Sequence, residues 1–238
     1  MAGQVTRALA SFLVPPLCAS CREPELSGCA VCPACETLLV PLPPGRCLRC
    51  GAPAGRGCQA CRECRGRRLA FSQAWAPFAY EGVSRRLVAT LKSRGTVSAA
   101  SFMGVAIAAG APDPLLRGML VPVPAHPLRR RRHGFNQAAE LARSIGRAAG
   151  VPVADVLRRD AASRPQVGLE RRARLLNLER SVSLRRPRRS GRPGIDGALT
   201  LVDDVYTTGA TLDACARALR EAGAERVTAL TFARTIRT

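Results

Sequence analysis

The stretch that decides the fold runs from residue 198 to residue 211 and reads Ala-Leu-Thr-Leu-Val-Asp-Asp-Val-Tyr-Thr-Thr-Gly-Ala-Thr. An apolar run ends in the adjacent carboxylates Asp203 and Asp204, and a turn rich in hydroxyls and glycine follows. Residues 212–222 are rich in Ala, Leu and Arg, which predicts a helix. This order is typical of a buried parallel strand whose carboxyl end carries a ligand site.

The turn between this strand and this helix offers the groups that bind a phosphate. Backbone N–H groups, hydroxyls and a helix N-terminus together attract an anion. The carboxylates would repel a phosphate, so we expect them to accept hydrogen bonds from sugar hydroxyls or to hold Mg²⁺. A sugar phosphate satisfies both halves of the pattern. The alternative is a plain strand–turn–helix in which Thr211 caps the helix and the carboxylates are solvated.

The same stretch resembles the signature of the type I phosphoribosyltransferases, which bind phosphoribosyl pyrophosphate. The resemblance implies that Asp203 and Asp204 hold the 2′- and 3′-hydroxyls of the ribose. It also implies that the loop wraps the 5′-phosphate, through Thr207, Thr208, Gly209 and Thr211.

The distribution of cysteine divides the chain into two parts. Ten of the eleven cysteines lie between Cys18 and Cys64, so we predict a cysteine-rich module over residues 1–68 and a second domain over residues 69–238. A hydrophobic share of 47% allows a real core. We see no targeting segment and no apolar run near the ~18 residues of a membrane span. We therefore expect a cytoplasmic protein without membrane insertion.

The charge balance is strongly basic, at a formal +20, and Lys92 is the only lysine among the 37 basic residues. A high-GC genome that replaces Lys by Arg accounts for most of this bias. In such a chain a retained lysine suggests either chance or a site that needs a compact ammonium group.

The cysteines form an internal repeat. The pattern Cys-x2-Cys followed by Cys-x2-Cys-x2-Cys occurs twice, and the second copy begins 29 residues after the first. Each copy is too short to bury its own core, and four thiolates around a structural Zn²⁺ would stabilise it. Disulfides and an iron–sulfur cluster are weaker alternatives, because clustered cysteines in a reducing compartment favour zinc. The predicted ligands of one or two zinc ions are Cys18, Cys21, Cys32 and Cys35, and Cys47, Cys50, Cys61 and Cys64, with Cys29 and Cys58 spare unless either substitutes for a neighbour.

Strands alternate with helices through the rest of the chain, which predicts an α/β fold with a parallel sheet flanked by helices. The predicted strands cover residues 71–80 (an edge strand), 119–123, 151–157, 199–203 and 226–232, and the predicted helices cover 83–91, 99–109 and 135–149. The arginine-rich segment 158–192 lacks periodicity and predicts a mobile loop. That loop is either a basic linker, an active-site flap or a nucleic-acid contact.

Taken in order, the motifs resemble those of the ComF family over nearly the whole chain. The motifs are the cysteine knuckles, Leu91-Lys92, Val121-Pro-Val-Pro124, Gly134-Phe-Asn-Gln137, Gln166 with Arg174 and Asn177, and Val202 to Thr211. Two positions depart from the family pattern: His133 stands where the family usually has Arg, and a family Phe is replaced near Val182. The resemblance implies a double zinc ribbon joined to a type I phosphoribosyltransferase-like domain.

The resemblance also implies a function, namely Mg²⁺-dependent binding of phosphoribosyl pyrophosphate and a role in DNA uptake during natural transformation. Lys92, Arg132 and Arg174 are then the candidate catalytic cations that neutralise the departing pyrophosphate, with Arg132 in a loop after the strand at 119–123. No general base for an acceptor stands out, so the sequence predicts binding better than turnover.

Two other functions remain open at this point. The basic chain could bind single-stranded DNA as a scaffold, in company with other DNA-uptake proteins, while keeping a transferase fold without catalysis. A nucleobase salvage enzyme is a weaker alternative, because salvage enzymes need no zinc ribbon.

Overall fold

Two long parallel strands, β6 (Ala198–Tyr206) and β7 (Arg226–Arg234), lie side by side at the centre of the sheet. The computed structural model describes residues 16–94, 97–160, 181–185, 195 and 197–236, without the side chains of Arg94, Arg129, Arg132 and His133. β3 (Met119–Pro122) pairs with β6, while β1 (Gln73–Trp75) and β2 (Phe78–Ala79) pair with β7, all in parallel. The strand order β1-β7-β6-β3 therefore brings the carboxyl ends of all these strands to one edge.

Helices cover the sheet and one short helix lies in the cysteine module. They are α1 (Pro33–Thr37), α2 (Gly82–Arg94), α3 (Val97–Gly110), α4 (Pro127–His133), α5 (Gln137–Ala149) and α6 (Ala210–Glu221), with a 3₁₀ turn at Asp113–Leu115. A separate antiparallel pair is formed by β4 (Leu157–Arg159) and β5 (Val182–Leu184). The predicted fold class, a parallel α/β sheet with helices after a cysteine-rich module, is confirmed.

The central strands are buried on both faces, and successive side chains point into two different cores. Leu199 and Leu201 of β6 pack in one core with helix α6 and with the second cysteine repeat. Val202 packs in the other core with α2, α3, α5 and the first cysteine repeat. The two repeats therefore lie on opposite faces of the sheet, each packed into one core.

The structure corrects three sequence predictions. The predicted strand at 151–157 is reduced to a bridge between Val153 and Leu120, with Leu157 as the first residue of β4, because Pro152 and Pro122 lack the N–H groups that would extend the ladder on the two sides of the bridge. The predicted loop after β3 forms helix α4 instead, which Gly134 ends in the left-handed conformation (φ 77°). The predicted loop 158–192 contributes residues 158–159 to β4 and residues 182–184 to β5, while residues 161–180 and 186–194 lie outside the described residues.

The remaining predicted elements are confirmed: β6, β7, α2 and α3 extend further than the patterns indicated, and α6 begins two residues earlier. The predicted edge strand is confirmed as β1 and β2, which Pro77 separates at the outer edge of the sheet. Within the described ranges, no helix has the length and apolar character to cross a membrane.

Candidate functional site

The acidic pair lies inside β6, close to the carboxyl edge of the sheet. β3 ends at Pro122, opposite Val202, so β6 loses this neighbour just before Asp203 and Asp204. β7 continues beside β6 as far as Tyr206. The sequence placed the end of the strand at residue 203, but pairing with β7 extends it by three residues. The carboxylates therefore lie at the point where the sheet opens on one side.

Lys92 contacts this acidic pair from helix α2. Its Nζ lies 2.9 Å from Oδ2 of Asp204, whose side chain is 11% exposed, against 41% for that of Lys92. Asp203 accepts a hydrogen bond through Oδ1 from the backbone N–H of Asp204 at 2.9 Å. The predicted cation is thus brought to the predicted acidic pair, and its ammonium is held by a carboxylate.

The loop that follows the strand presents its hydroxyls to solvent and leads into helix α6. Thr207 and Thr208 are exposed, and Thr211 is half-buried in the first turn of α6. Gly209, at φ 74°, occupies the N-cap position and offers no side chain as a cap, while Oγ1 of Thr208 accepts the N–H of Ala210 at 3.4 Å. The alternative in which Thr211 caps the helix is therefore wrong. N–H groups at a helix N-terminus that lack a capping side chain attract anions.

Tyr206 makes glycine necessary at position 209. A Cβ on Gly209 would lie 2.6 Å from Cζ of Tyr206 and closer still to its hydroxyl. The positive φ also favours glycine, because an L side chain in this region costs roughly 1–2 kcal/mol. The glycine of the motif thus allows the loop to lie directly against a buried aromatic ring.

Asp213, in the first turn of α6, ties the cysteine module to the loop. Its Oδ1 accepts the backbone N–H of Ala70 at 2.6 Å, and its Oδ2 accepts a hydrogen bond from Arg217 at 2.9 Å. Arg217 also donates to the carbonyl of Arg68 at 3.1 Å. The segment that leaves the module is thereby fastened to the helix that carries the candidate phosphate site. No sequence pattern indicates this role, because an Asp within a helix gives no signal of a distant partner.

The turn Gly134-Phe-Asn-Gln137 has a supporting function. Asn136 donates through Nδ2 to the carbonyl of Val123 at 3.0 Å and accepts the N–H of Ala138 at 3.2 Å. It therefore caps α5 and holds the backbone just after β3, beside the open edge of the sheet. Arg132 lies in α4, and its side chain belongs to those that are not described. Arg174 lies outside the described residues.

The eight predicted metal ligands come together as two groups of four. The Sγ atoms of Cys18, Cys21, Cys32 and Cys35 lie within 4.8 Å of one another, and so do those of Cys47, Cys50, Cys61 and Cys64. Sulfur separations of 3.5 Å (Cys50–Cys61) to 4.0 Å (Cys61–Cys64) suit a tetrahedron with Zn–S bonds of about 2.3 Å, whose edges are about 3.8 Å. Both groups can hold zinc, pairing does not interleave between the copies, and a bound ion would supply structural support rather than catalysis.

The first cysteine of each repeat is prepared for metal binding. Burial by itself would raise the pKa of Cys18, but backbone N–H donors from Cys32, Cys21 and Ser20 lower that pKa to about 6. In the second repeat, burial opposes the backbone donors in the same way, and the pKa of Cys47 is also lowered to about 6. These thiols therefore favour the thiolate form that binds a metal ion.

The two repeats support different parts of the site. In the first repeat, the carbonyl of Ala19 accepts a hydrogen bond from Thr90 at 2.8 Å, and Ser20 accepts one from Arg86 at 3.1 Å. Both donors lie on α2, the helix that carries Lys92. In the second repeat, the carbonyl of Arg49 accepts the N–H of Ala74 in β1 at 2.9 Å.

Comparison with known proteins finds similarity to a curated protein and to solved structures. The chain is 33% identical over 109 residues to Competence protein F of Haemophilus influenzae, an alignment that covers 45% of this chain and 46% of the relative. The chain thus aligns with about half the length of this relative. Over these 109 residues, the homologue agrees with the family resemblance that the motifs indicated.

Orotate phosphoribosyltransferase from Aeropyrum pernix is a structural neighbour with 19% identity and a TM-score of 0.35, covering 61% of this chain and 62% of the neighbour. No family model matches the chain.

Proposed function

We propose that this chain binds phosphoribosyl pyrophosphate together with Mg²⁺ at the carboxyl edge of its sheet. The observation that carries the proposal is the close succession of an acidic pair, Asp203 and Asp204, and a helix N-terminus whose N-cap residue, Gly209, offers no side-chain cap. The carboxylates offer acceptors for the ribose hydroxyls, and the loop offers N–H groups and hydroxyls for the 5′-phosphate. A ligand that combines a sugar with a phosphate uses both sets of groups.

We further propose that the protein is a phosphoribosyltransferase, an enzyme that transfers a pentosyl group. When a nucleophile attacks C1 of the ribose and pyrophosphate departs, negative charge accumulates on the leaving group. Mg²⁺ and the cations Lys92, Arg132 and Arg174 are suited to stabilise that charge. Lys92 must exchange its contact with Asp204 for the ligand, so ligand binding and release of this ion pair are coupled.

The proposed biological setting is DNA uptake in natural transformation. The name of the Haemophilus influenzae relative supports this setting, and single-stranded DNA and other DNA-uptake proteins are the proposed partners. We propose that the cysteine module of residues 1–68 carries two structural zinc ions and supports the transferase-like domain of residues 69–238.

Calorimetry with phosphoribosyl pyrophosphate and Mg²⁺ tests the ligand. We expect saturable binding by the wild type and its loss in Asp203→Asn/Asp204→Asn. The matched control is Glu140→Gln/Asp155→Asn, which changes the net charge equally but removes only exposed pairs with Arg143 and Arg185. No binding by a zinc-loaded, folded wild type would overturn the proposal. Consumption of the labelled ligand with a panel of bases then tests turnover and separates salvage from other acceptors.

A second candidate function is non-catalytic binding of single-stranded DNA, which the formal charge of +20 favours. Such binding would weaken steeply as salt rises, because each neutralised phosphate releases counterions. Titration of an oligonucleotide across a salt series tests it. Absence of binding even at low salt would remove this candidate.

A further inference from the structure

Arg234, the last residue of β7, is a buried cation that connects the second cysteine cluster to the candidate phosphate loop. Its side chain is only 2% exposed. A guanidinium removed from water needs acceptors and compensating charge around it. Those groups come from the cysteine module on one side and from the end of β6 on the other.

The contacts of Arg234 with the module concentrate on one zinc ligand. Nη1 donates to the carbonyl of Cys50 at 2.5 Å, and Nη2 lies 3.8 Å from the Cys50 Sγ atom. Nη2 also donates to Oε2 of Glu63 at 2.8 Å. Glu63 stands between the ligands Cys61 and Cys64, so both module contacts belong to the loops that build the cluster.

The other face of the guanidinium lies over Tyr206. The guanidinium carbon Cζ of Arg234 lies 4.1 Å from the centroid of the Tyr206 ring. The two residues are direct partners in the pairing of β6 with β7. The same ring packs against Gly209 and meets Phe71 edge-on at a centroid distance of 6.3 Å. Tyr206 therefore contacts both the guanidinium of Arg234 and Gly209 at the N-terminus of α6.

We propose that Arg234 is a positioning residue through which metal loading of the second cluster sets the geometry of the phosphate loop. Four thiolates around a divalent ion carry a net negative charge that compensates the buried guanidinium. Without the ion, the knuckle loses its closure and part of this charge, and Glu63 is left as the partner of opposite charge among the contacts above. The Tyr206 ring then loses its fixed position relative to Arg234 and Gly209. This inference rests on the proposed function, because it assigns a regulator to that same loop.

The first cluster is not expected to act on the loop. Its contacts run to α2 on the opposite face of the sheet, through Thr90 and Arg86. The repeat supplies a matched pair of variants, since Cys32 and Cys61 occupy equivalent positions in the two copies and neither is the ligand that Arg234 contacts. Cys61→Ser weakens the second cluster, and Cys32→Ser weakens the first.

Amide hydrogen exchange of residues 207–211 is the first readout, and it needs no ligand. We expect faster exchange there in Cys61→Ser and in Arg234→Lys, which keeps the charge but not the two-sided fork. We expect no change there in Cys32→Ser. Arg46→Lys is the matched control: Arg46 precedes the ligand Cys47, also lies over an aromatic ring, Trp75 at 5.4 Å, and donates to three carbonyls, but none of these side-chain contacts reaches a sulfur of the cluster or the loop.

Zinc release is the second readout, and it exploits the reciprocity of coupled sites. If zinc in the second cluster raises affinity for phosphoribosyl pyrophosphate, then that ligand raises the affinity of the cluster for zinc by the same factor. We expect a change on the order of tenfold, as for partners that support metal ligands. Phosphoribosyl pyrophosphate should raise the zinc affinity of the second cluster in the wild type and in Cys32→Ser. It should leave that affinity unchanged in Arg234→Lys.

The two readouts separate the possible failures. Unchanged loop exchange in both Cys61→Ser and Arg234→Lys would overturn the coupling, as would an equal change in Cys32→Ser. If the wild type fails to bind phosphoribosyl pyrophosphate, the proposed function falls, and the exchange measurement still decides whether Arg234 couples cluster and loop. If Arg234→Lys does not fold, the same measurements are made on wild-type protein from which the zinc of the second cluster has been selectively removed.

Discussion

Replacing Gly209 by alanine is the substitution whose effect the structure defines most sharply. The residue has φ 74°, and an alanine there costs roughly 1–2 kcal/mol in backbone conformation alone. The added Cβ would also lie 2.6 Å from Cζ of Tyr206, about 1 Å inside a normal carbon–carbon contact. Tyr206 is 3% exposed and held beneath Arg234, so the ring cannot move aside freely. The loop must shift instead.

Gly150→Ala separates the steric clash with Tyr206 from the conformational cost of a positive φ. Gly150 has φ 69° at the end of α5, and a Cβ there meets nothing within 4 Å. Both variants carry the same conformational cost, and only Gly209→Ala adds overpacking, which typically costs ~1–3 kcal/mol. We therefore expect Gly209→Ala to lower the free energy of unfolding by about 1–3 kcal/mol more than Gly150→Ala does, as measured by urea denaturation.

Ligand binding provides the second half of this test. A shifted loop moves the N–H groups at the start of α6 away from the 5′-phosphate, so we expect Gly209→Ala to lose affinity for phosphoribosyl pyrophosphate by about tenfold or more, equivalent to ~1.4 kcal/mol. Gly150→Ala should bind as the wild type does. Equal stability losses in the two variants, with unchanged binding in both, would refute the reasoning.

Three further results are expected from the same structure. Lys92→Met should lower stability by less than about 1 kcal/mol, because its ion pair with Asp204 is partly exposed, yet it should weaken binding of phosphoribosyl pyrophosphate severalfold in calorimetry. Asp213→Ala should lower the free energy of unfolding by ~1.5–3 kcal/mol, as measured by thermal or urea unfolding, because the N–H of Ala70 loses a charged acceptor. Asp160→Ala, which removes a more exposed carboxylate, serves as the control. Elemental analysis should find two zinc ions per chain, and a single ion would show that one four-cysteine group stays empty.

The sequence determined the features whose causes lie in neighbouring residues. The apolar run, the acidic pair and the glycine turn predict a strand, a loop and a helix, and β6 and α6 confirm them. The cysteine spacing likewise selected the eight thiols that gather in two groups and left Cys29 and Cys58 outside them. Local chain geometry brings Cys-x2-Cys ligands together, so spacing alone carries that information.

Residue patterns were less informative where a local preference competes with pairing. The segment 151–157 has the apolar character of a strand, but prolines at 152 and 122 prevent a continuous ladder, and Val153 alone pairs with the main sheet. The basic run at 129–132 lacks a helical pattern of apolar residues, yet His126 caps its start, with Nδ1 accepting the N–H of Leu128 at 3.3 Å, and Gly134 ends it. Capping at both ends makes a short helix there.

Tertiary structure alone decided which distant residues meet. Lys92 reaches Asp204 from another helix, and Arg234 reaches Cys50 across 184 positions of sequence. It also placed the two cysteine repeats, identical in spacing, on opposite faces of one sheet with different tasks. Strand and turn propensities are properties of adjacent residues, whereas these contacts depend on the path by which parallel strands bring their ends to a common edge.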